Sequence, residues 1–140
     1  MRLALIPLVL LALSGCIAPE AEQPPYWWKL VSINGKPFPA DVQMAFRGDK
    51  GQELIGQGPC NSFGARVVRK PFPTVRFVNV TSTERACEQL GDEVTFFQAL
   101  GRVTGEGVGV GYLYLVNDKG LRMDFKPGPG PATQPEAAAD

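Results

Sequence analysis

Asp92-Glu93-Val94-Thr95-Phe96-Phe97-Gln98-Ala99-Leu100-Gly101-Arg102 is the one stretch of this 140-residue chain whose apolar residues fall at helical spacing. Phe96, Phe97, Leu100 and then Val103 share one side, Asp92 is placed to cap the start, and Gly101 stands near the stop. Around it the period is two. Strand patterns cover Tyr26 to Ile33, Val42 to Arg47, Glu53 to Gly58, Ala65 to Arg69, Val75 to Val80, Val108 to Val116 and Leu121 to Phe125. Asn34-Gly35 closes the first as a turn pair that tolerates positive φ, and Asn117-Asp118-Lys119-Gly120 joins the last two as a hairpin. One helix among so many strands implies an α+β domain, with the helix packed on an antiparallel sheet.

Outward from this core, both ends change character. Residues 1–15 carry one cation, Arg2, then apolar residues from Leu3 to Leu13 broken only by Pro7. That run is shorter than the roughly 20 residues a membrane span needs, so it reads as a signal peptide. Leu13-Ser14-Gly15-Cys16 completes it: small residues before the cut, and at Cys16 the thiol that lipid transfer requires. An acylated Cys16 with several buried chains holds a protein stably on a membrane. Ile17 follows the cysteine where an aspartate would otherwise stand, the pattern of lipoproteins sent on to an outer membrane, facing the periplasm. Residues 16–25 then read as a lipidated tether and 26–126 as one domain. Residues 127–140, rich in Pro, Gly and Ala, read as a disordered tail.

Composition narrows the chemistry. Of 14 Lys and Arg, Arg2 leaves with the signal peptide, so 13 face 14 Asp and Glu and the mature chain is nearly neutral. Clustered cations for nucleic acid are missing, so no nucleic-acid partner is expected. Histidine is absent, which removes Ser-His-Asp and Cys-His catalysis and the commonest metal ligand; neither metal nor cofactor is expected. With Cys16 committed to lipid, Cys60 and Cys87 remain, and in an oxidising compartment an even pair suggests a disulfide. The rival reading is a nucleophilic thiol, for which no histidine is available as activator. Gly107, Gly109 and Gly111 strip one face of their strand, so something approaches that backbone closely: a barrel corner or the seat of the helix, or else a phosphate-cradling loop, although the spacing fits neither glycine-rich fingerprint. Trp27 and Trp28, being adjacent, must point to opposite faces, and one of them is exposed or covers an open end.

Gly58-Pro59-Cys60-Asn61-Ser62-Phe63-Gly64, then Thr83-Glu84-Arg85-Ala86-Cys87, then Glu93-x-x-Phe96-x-x-Ala99-Leu100 together resemble the META domain, the family of HslJ-like heat-shock lipoproteins. Trp28-Lys29-Leu30, Asn34-Gly35-Lys36-Pro37, and Leu113-Tyr114-Leu115 with Gly120 extend the resemblance over nearly the whole domain. Pro59, the run Ala65-Arg66-Val67 and Glu84 depart from the usual pattern, so a recognition surface used by relatives is altered here while the scaffold is kept. The resemblance implies a curved, partly open antiparallel β-barrel of about seven to eight strands with one α-helix packed on it. It implies no reaction.

The leading functional expectation is a non-enzymatic envelope lipoprotein acting as an accessory or binding module in envelope or heat stress. A second is a carrier of an apolar ligand in a groove between helix and sheet, lined by Phe96, Phe97 and the valines; those aromatics would equally fill the core. A third is an inhibitor or pilot that presents a disulfide-held surface to an envelope protein, with Asn61, Ser62, Phe63, Gly64, Thr83 and Arg85 as the candidate contact residues. Glu84, Glu88, Asp92 and Glu93 would supply paired carboxylates for a hydrolase, but acids at a helix start more simply stay solvated and favour the helix dipole.

Overall fold

The computed structural model describes residues 26–132. The expected signal peptide, the lipidation of Cys16 and the tether fall outside the described residues, as do residues 133–140 of the expected tail. The elements are β1 (Trp27–Ile33), β2 (Lys36–Pro37), β3 (Gln43–Arg47), β4 (Glu53–Gln57), β5 (Ser62–Arg69), β6 (Val75–Ser82), α1 (Leu90–Leu100), β7 (Gly105–Gly109), β8 (Tyr112–Val116) and β9 (Arg122–Pro127). All strand pairs are antiparallel, in the order β6-β5-β4-β3-β1-β9-β8-β7, with the short β2 appended to β1. The sheet curls until its two edges meet at one place. There Thr74 bridges Gly105, the Val75 N–H donates to the Thr104 carbonyl at 3.1 Å, and the Glu106 N–H to the Pro73 carbonyl at 2.8 Å. The result is an open, curled α+β half-barrel, as the family resemblance implies.

The period-two pattern explains the curl's interior. Leu54, Phe63, Val67, Leu113, Leu115 and Phe125 all point inward and are buried. Helix α1 closes the space with Phe96, Ala99 and Leu100, and Val103 follows it inward. Phe63 packs its ring 5.3 Å from those of both Phe96 and Phe97. Each fully buried side chain of this size contributes about 1.5–3 kcal/mol. Phe96 and Phe97 therefore fill the core, where the carrier expectation had them lining a ligand groove. Gly56 faces Phe63 across β4 and β5, and a Cβ there would collide with the ring.

A second tie crosses the seam near the closing bridge. The Arg69 guanidinium on β5 engages Glu106 on β7 through two nitrogens: Nε donates to Oε1, and Nη2 donates to Oε2 at 3.1 Å. Its Nη1 donates to the Lys50 and Gly51 carbonyls at 3.2 and 2.9 Å, and the group lies 5.2 Å over the Phe46 ring. Glu106 is 5% exposed, so its charge is paired where it is desolvated.

Several local expectations are corrected. The helix starts at Leu90, two residues early, with Gln89 at the cap position and no side-chain cap bond, so Asp92 sits inside the first turn. The expected strand Val108 to Val116 is a hairpin: Gly111 at φ 79° lets the chain reverse between β7 and β8. The glycines on β7 face their cross-strand partners, Gly107 opposite Tyr114 and Gly109 opposite Tyr112, and the tyrosine rings lie where glycine Cβ atoms would be. The close approach is thus by the neighbouring strand's tyrosines, not by the helix or a phosphate. Strand β5 begins at Ser62, ahead of the expected Ala65. Order also continues past residue 126: Pro127 ends β9, the Gly128 N–H donates to the Trp27 carbonyl at 2.9 Å, and the Gly130 N–H donates to the buried Gln43 Oε1 at 2.9 Å. Trp28 is buried in the core and Trp27, half-buried, lies under Gly130, in keeping with opposite faces.

Candidate functional site

The segment Gly58 to Gly64 turns the chain from β4 into β5, and two covalent or polar links tie it to the start of α1. Cys60 and Cys87 form a disulfide with Cα atoms 5.6 Å apart, across a sequence separation of 27. Beneath it lies Glu93, only 1% exposed. The backbone N–H groups of Cys60 and Asn61 both donate to Glu93 Oε2 at 2.9 Å, and Asn61 Nδ2 donates to Oε1 at 2.5 Å. Asn61 in turn reaches the segment before the helix. Its Nδ2 donates to the Arg85 carbonyl at 3.0 Å, and its Oδ1 accepts from the Arg85 N–H at 2.6 Å and from Thr83 Oγ1 at 2.8 Å. Both amide protons and both oxygen lone pairs of Asn61 are thereby used. The Gly58 N–H donates to the Asn61 carbonyl at 2.8 Å, and a Cβ on Gly58 would strike the Glu93 carboxylate, so the glycine makes room for the acid.

This network joins three separate parts of the chain with no orphaned donor: the β4–β5 turn, the run Thr83 to Arg85, and α1. Among the described residues no buried side-chain polar atom lacks a partner. A buried polar cluster fully satisfied in this way rigidifies what it connects.

A cleft of about 910 Å³ opens beside the network, lined by Pro59, Cys60, Ser62, Thr83, Arg85 and Gln89 together with Asp41, Gln57 and Pro129 to Ala132. Ser62 Oγ donates to Gln57 Oε1 at 2.7 Å, and the Ser62 and Thr83 main chains pair through the Thr83 N–H at 3.0 Å. The lining is polar, with Arg85 and Asp41 as its charges. Among the described residues no group of three or more ligating side chains stands together to hold a metal ion.

The expected contact residues divide. Ser62, Thr83 and Arg85 are exposed on the cleft, whereas Asn61 is buried in the network, Phe63 lies in the core, and Gly64 is half-buried with the Leu54 carbonyl close to where a Cβ would stand. Asn61 and Phe63 therefore shape the surface from beneath and are no part of it. Glu93 is the larger correction, since it was expected to stay solvated. Its position carried the signal, for Glu93, Phe96, Phe97 and Leu100 stand at i, i+3, i+4 and i+7, which puts the acid on the buried stripe. Glu84 and Glu88 remain exposed.

Comparisons with known proteins agree with this architecture. The family profile of the META domain matches residues 22–129. The solved NMR structure of a protein from Burkholderia xenovorans superposes with a TM-score of 0.58 at 21% identity, covering 75% of this chain and 83% of that one. The crystal structure of a DUF4847 family protein from Bacteroides vulgatus gives a TM-score of 0.54 at 14% identity, covering 73% and 92%. At such identities the likeness is one of fold. No curated protein matches the chain.

Proposed function

The chain belongs to the META domain family, and from that premise we propose that it is a lipid-anchored, non-enzymatic accessory protein of the bacterial envelope whose polar cleft binds a protein partner. The observation that carries this reading is the cleft beside the disulfide, one wall of which is fixed by the Asn61–Glu93 network and the Cys60–Cys87 bridge. A wall that is rigid before binding loses little conformational freedom on binding, and that favours affinity. Arg85 offers a guanidinium, and Gln57, Ser62, Thr83 and Gln89 offer amide and hydroxyl groups, a set that suits an extended peptide segment carrying a carboxylate. The anchor follows from the Leu13-Ser14-Gly15-Cys16 motif, and the outer-membrane destination from Ile17. A role in heat or envelope stress rests on the family association.

A non-enzymatic reading is supported by the state of the acids. Glu93 is 1% exposed and gives its oxygens to three N–H donors of the fold, which keeps it from a substrate in the cleft, and no histidine exists to share the work. The test is site-specific photocrosslinking in intact cells, with the probe at Gln57 or Ser62 and a control probe at Asp118. The reading expects one discrete protein adduct from the cleft positions, diminished by Arg85→Glu, and none from Asp118. Equal labelling at all positions, or adducts insensitive to Arg85, would overturn it.

A further inference from the structure

Among the described residues nine large apolar side chains are exposed, and four of them lie at one end of the sheet. Val108, Val110 and Tyr112 surround the β7–β8 turn at 52, 104 and 51% exposure, and Tyr26, where β1 begins, is 56% exposed. The strand registers bring these together. Leu113 pairs with Phe125, and Phe125 pairs with Leu30, so moving up β8 toward Tyr112 is moving level with Lys126 and Lys29. One step further sets the turn itself, Val110 and Gly111, about level with Trp28, close to the point where β1 begins and the chain enters the domain from its tether. Only nine residues, Ile17 to Pro25, separate Cys16 from Tyr26, a reach on the order of 30 Å when fully extended.

A fully exposed valine at a turn, accompanied by a half-exposed valine and two half-exposed tyrosines, is unusual for a surface that meets only water. The hairpin carries these side chains on both faces: Tyr112 and Tyr114 lie over the β7 glycines on one face, and Val108, paired with Leu113, is on the other. Exposed Lys126, level with Tyr112, and exposed Arg47, past β3's pairing with β1, add cations at this end. Apolar and tyrosine side chains bordered by cations match a bilayer interface with anionic headgroups. We propose that the β7–β8 turn, with Tyr26, is a second membrane contact that docks the domain on the bilayer holding its own lipid anchor and so fixes its orientation. This rests on the anchor reading of Cys16. With Val110 seated in the interface, the β8–β9 turn at Asp118 points away from the membrane, since β8 runs from the one turn to the other.

The experiment uses the full chain, made where lipoproteins are acylated and reconstituted in phosphatidylethanolamine–phosphatidylglycerol vesicles. Val110→Cys or Asp118→Cys carries a nitroxide label, and its collisions with oxygen and with a water-soluble nickel chelate are compared. The proposal expects the oxygen-to-nickel ratio at position 110 to exceed that at 118 by about fivefold or more, as an apolar side chain below the headgroups requires. Flotation and the mass of the N-terminal peptide report the anchor separately. An acylated, floating chain with equal ratios at both positions overturns the membrane contact and leaves the anchor standing. An unacylated chain that does not float overturns both. Shielding of position 110 from both reagents, with a doubled mass in solution, overturns the proposal in favour of a second copy at this turn.

Discussion

Two buried glutamates hold this half-barrel together by different means. Glu93, at the start of α1, is surrounded by neutral donors, two from the backbone and one from Asn61. Glu106, on β7, is held by the Arg69 guanidinium, whose remaining nitrogen grips the Lys50 and Gly51 carbonyls. The difference lies in what remains if the acid is removed. At the seam, an apolar pair can replace acid and base together, and little is orphaned beyond the two carbonyls Arg69 caps. At the corner, the N–H groups of Cys60 and Asn61 belong to the main chain and stay behind whatever is substituted. The corner is therefore specified by an acid that no apolar residue can replace, and it is the corner that borders the cleft.

Glu93→Leu should be the most damaging single change, since it orphans three buried donors at about 1–3 kcal/mol each, enough to leave a small domain largely unfolded; urea titration of the purified domain would show the lost transition. At the seam, Arg69→Met alone should cost about 3–4 kcal/mol by stranding Glu106. Combining it with Glu106→Leu should recover most of that loss. If the double substitution is as unstable as the single, the two sites do not differ in kind. Reducing the disulfide, or the pair Cys60→Ser and Cys87→Ser, should lower stability by roughly 3 kcal/mol, as loop-closure entropy predicts, with the folded state retained because the Glu93 bonds remain. Smallest of all, Gly107→Ala should cost about 1–2 kcal/mol by pushing the Tyr114 ring off its seat, with near-ultraviolet dichroism reporting the displaced tyrosine.

Much of the fold was legible because its elements obey simple periods. Alternation marked seven strand regions, Asn34-Gly35 and Asn117 to Gly120 marked two turns, and the 3.6-residue stripe marked the helix. Legibility failed where a side chain's partner lies far along the chain. Nothing local distinguishes a solvated acid at a helix start from one that binds a turn 32 residues upstream, although the stripe from Glu93 to Leu100 held the hint. The β7–β8 hairpin was hidden for a related reason. Val108-Gly109-Val110-Gly111-Tyr112 alternates straight through its own turn, and only the positive φ at Gly111 breaks it. In the candidate site, the structure brings Cys60, Cys87, Ser62, Thr83 and Arg85 close together. Asn61 and Phe63 were placed on the surface because a motif names residues without saying which way they face.

The most direct test of the corner is native-state hydrogen exchange of the backbone amides. If Glu93 accepts from Cys60 and Asn61 as a buried structural anchor, those two amides should exchange as slowly as Ala45 in the core of β3, through global unfolding only. Exchange as fast as that of Gly111 at the exposed β7–β8 turn would contradict the account, because it would mean that the β4–β5 turn opens without the rest of the fold.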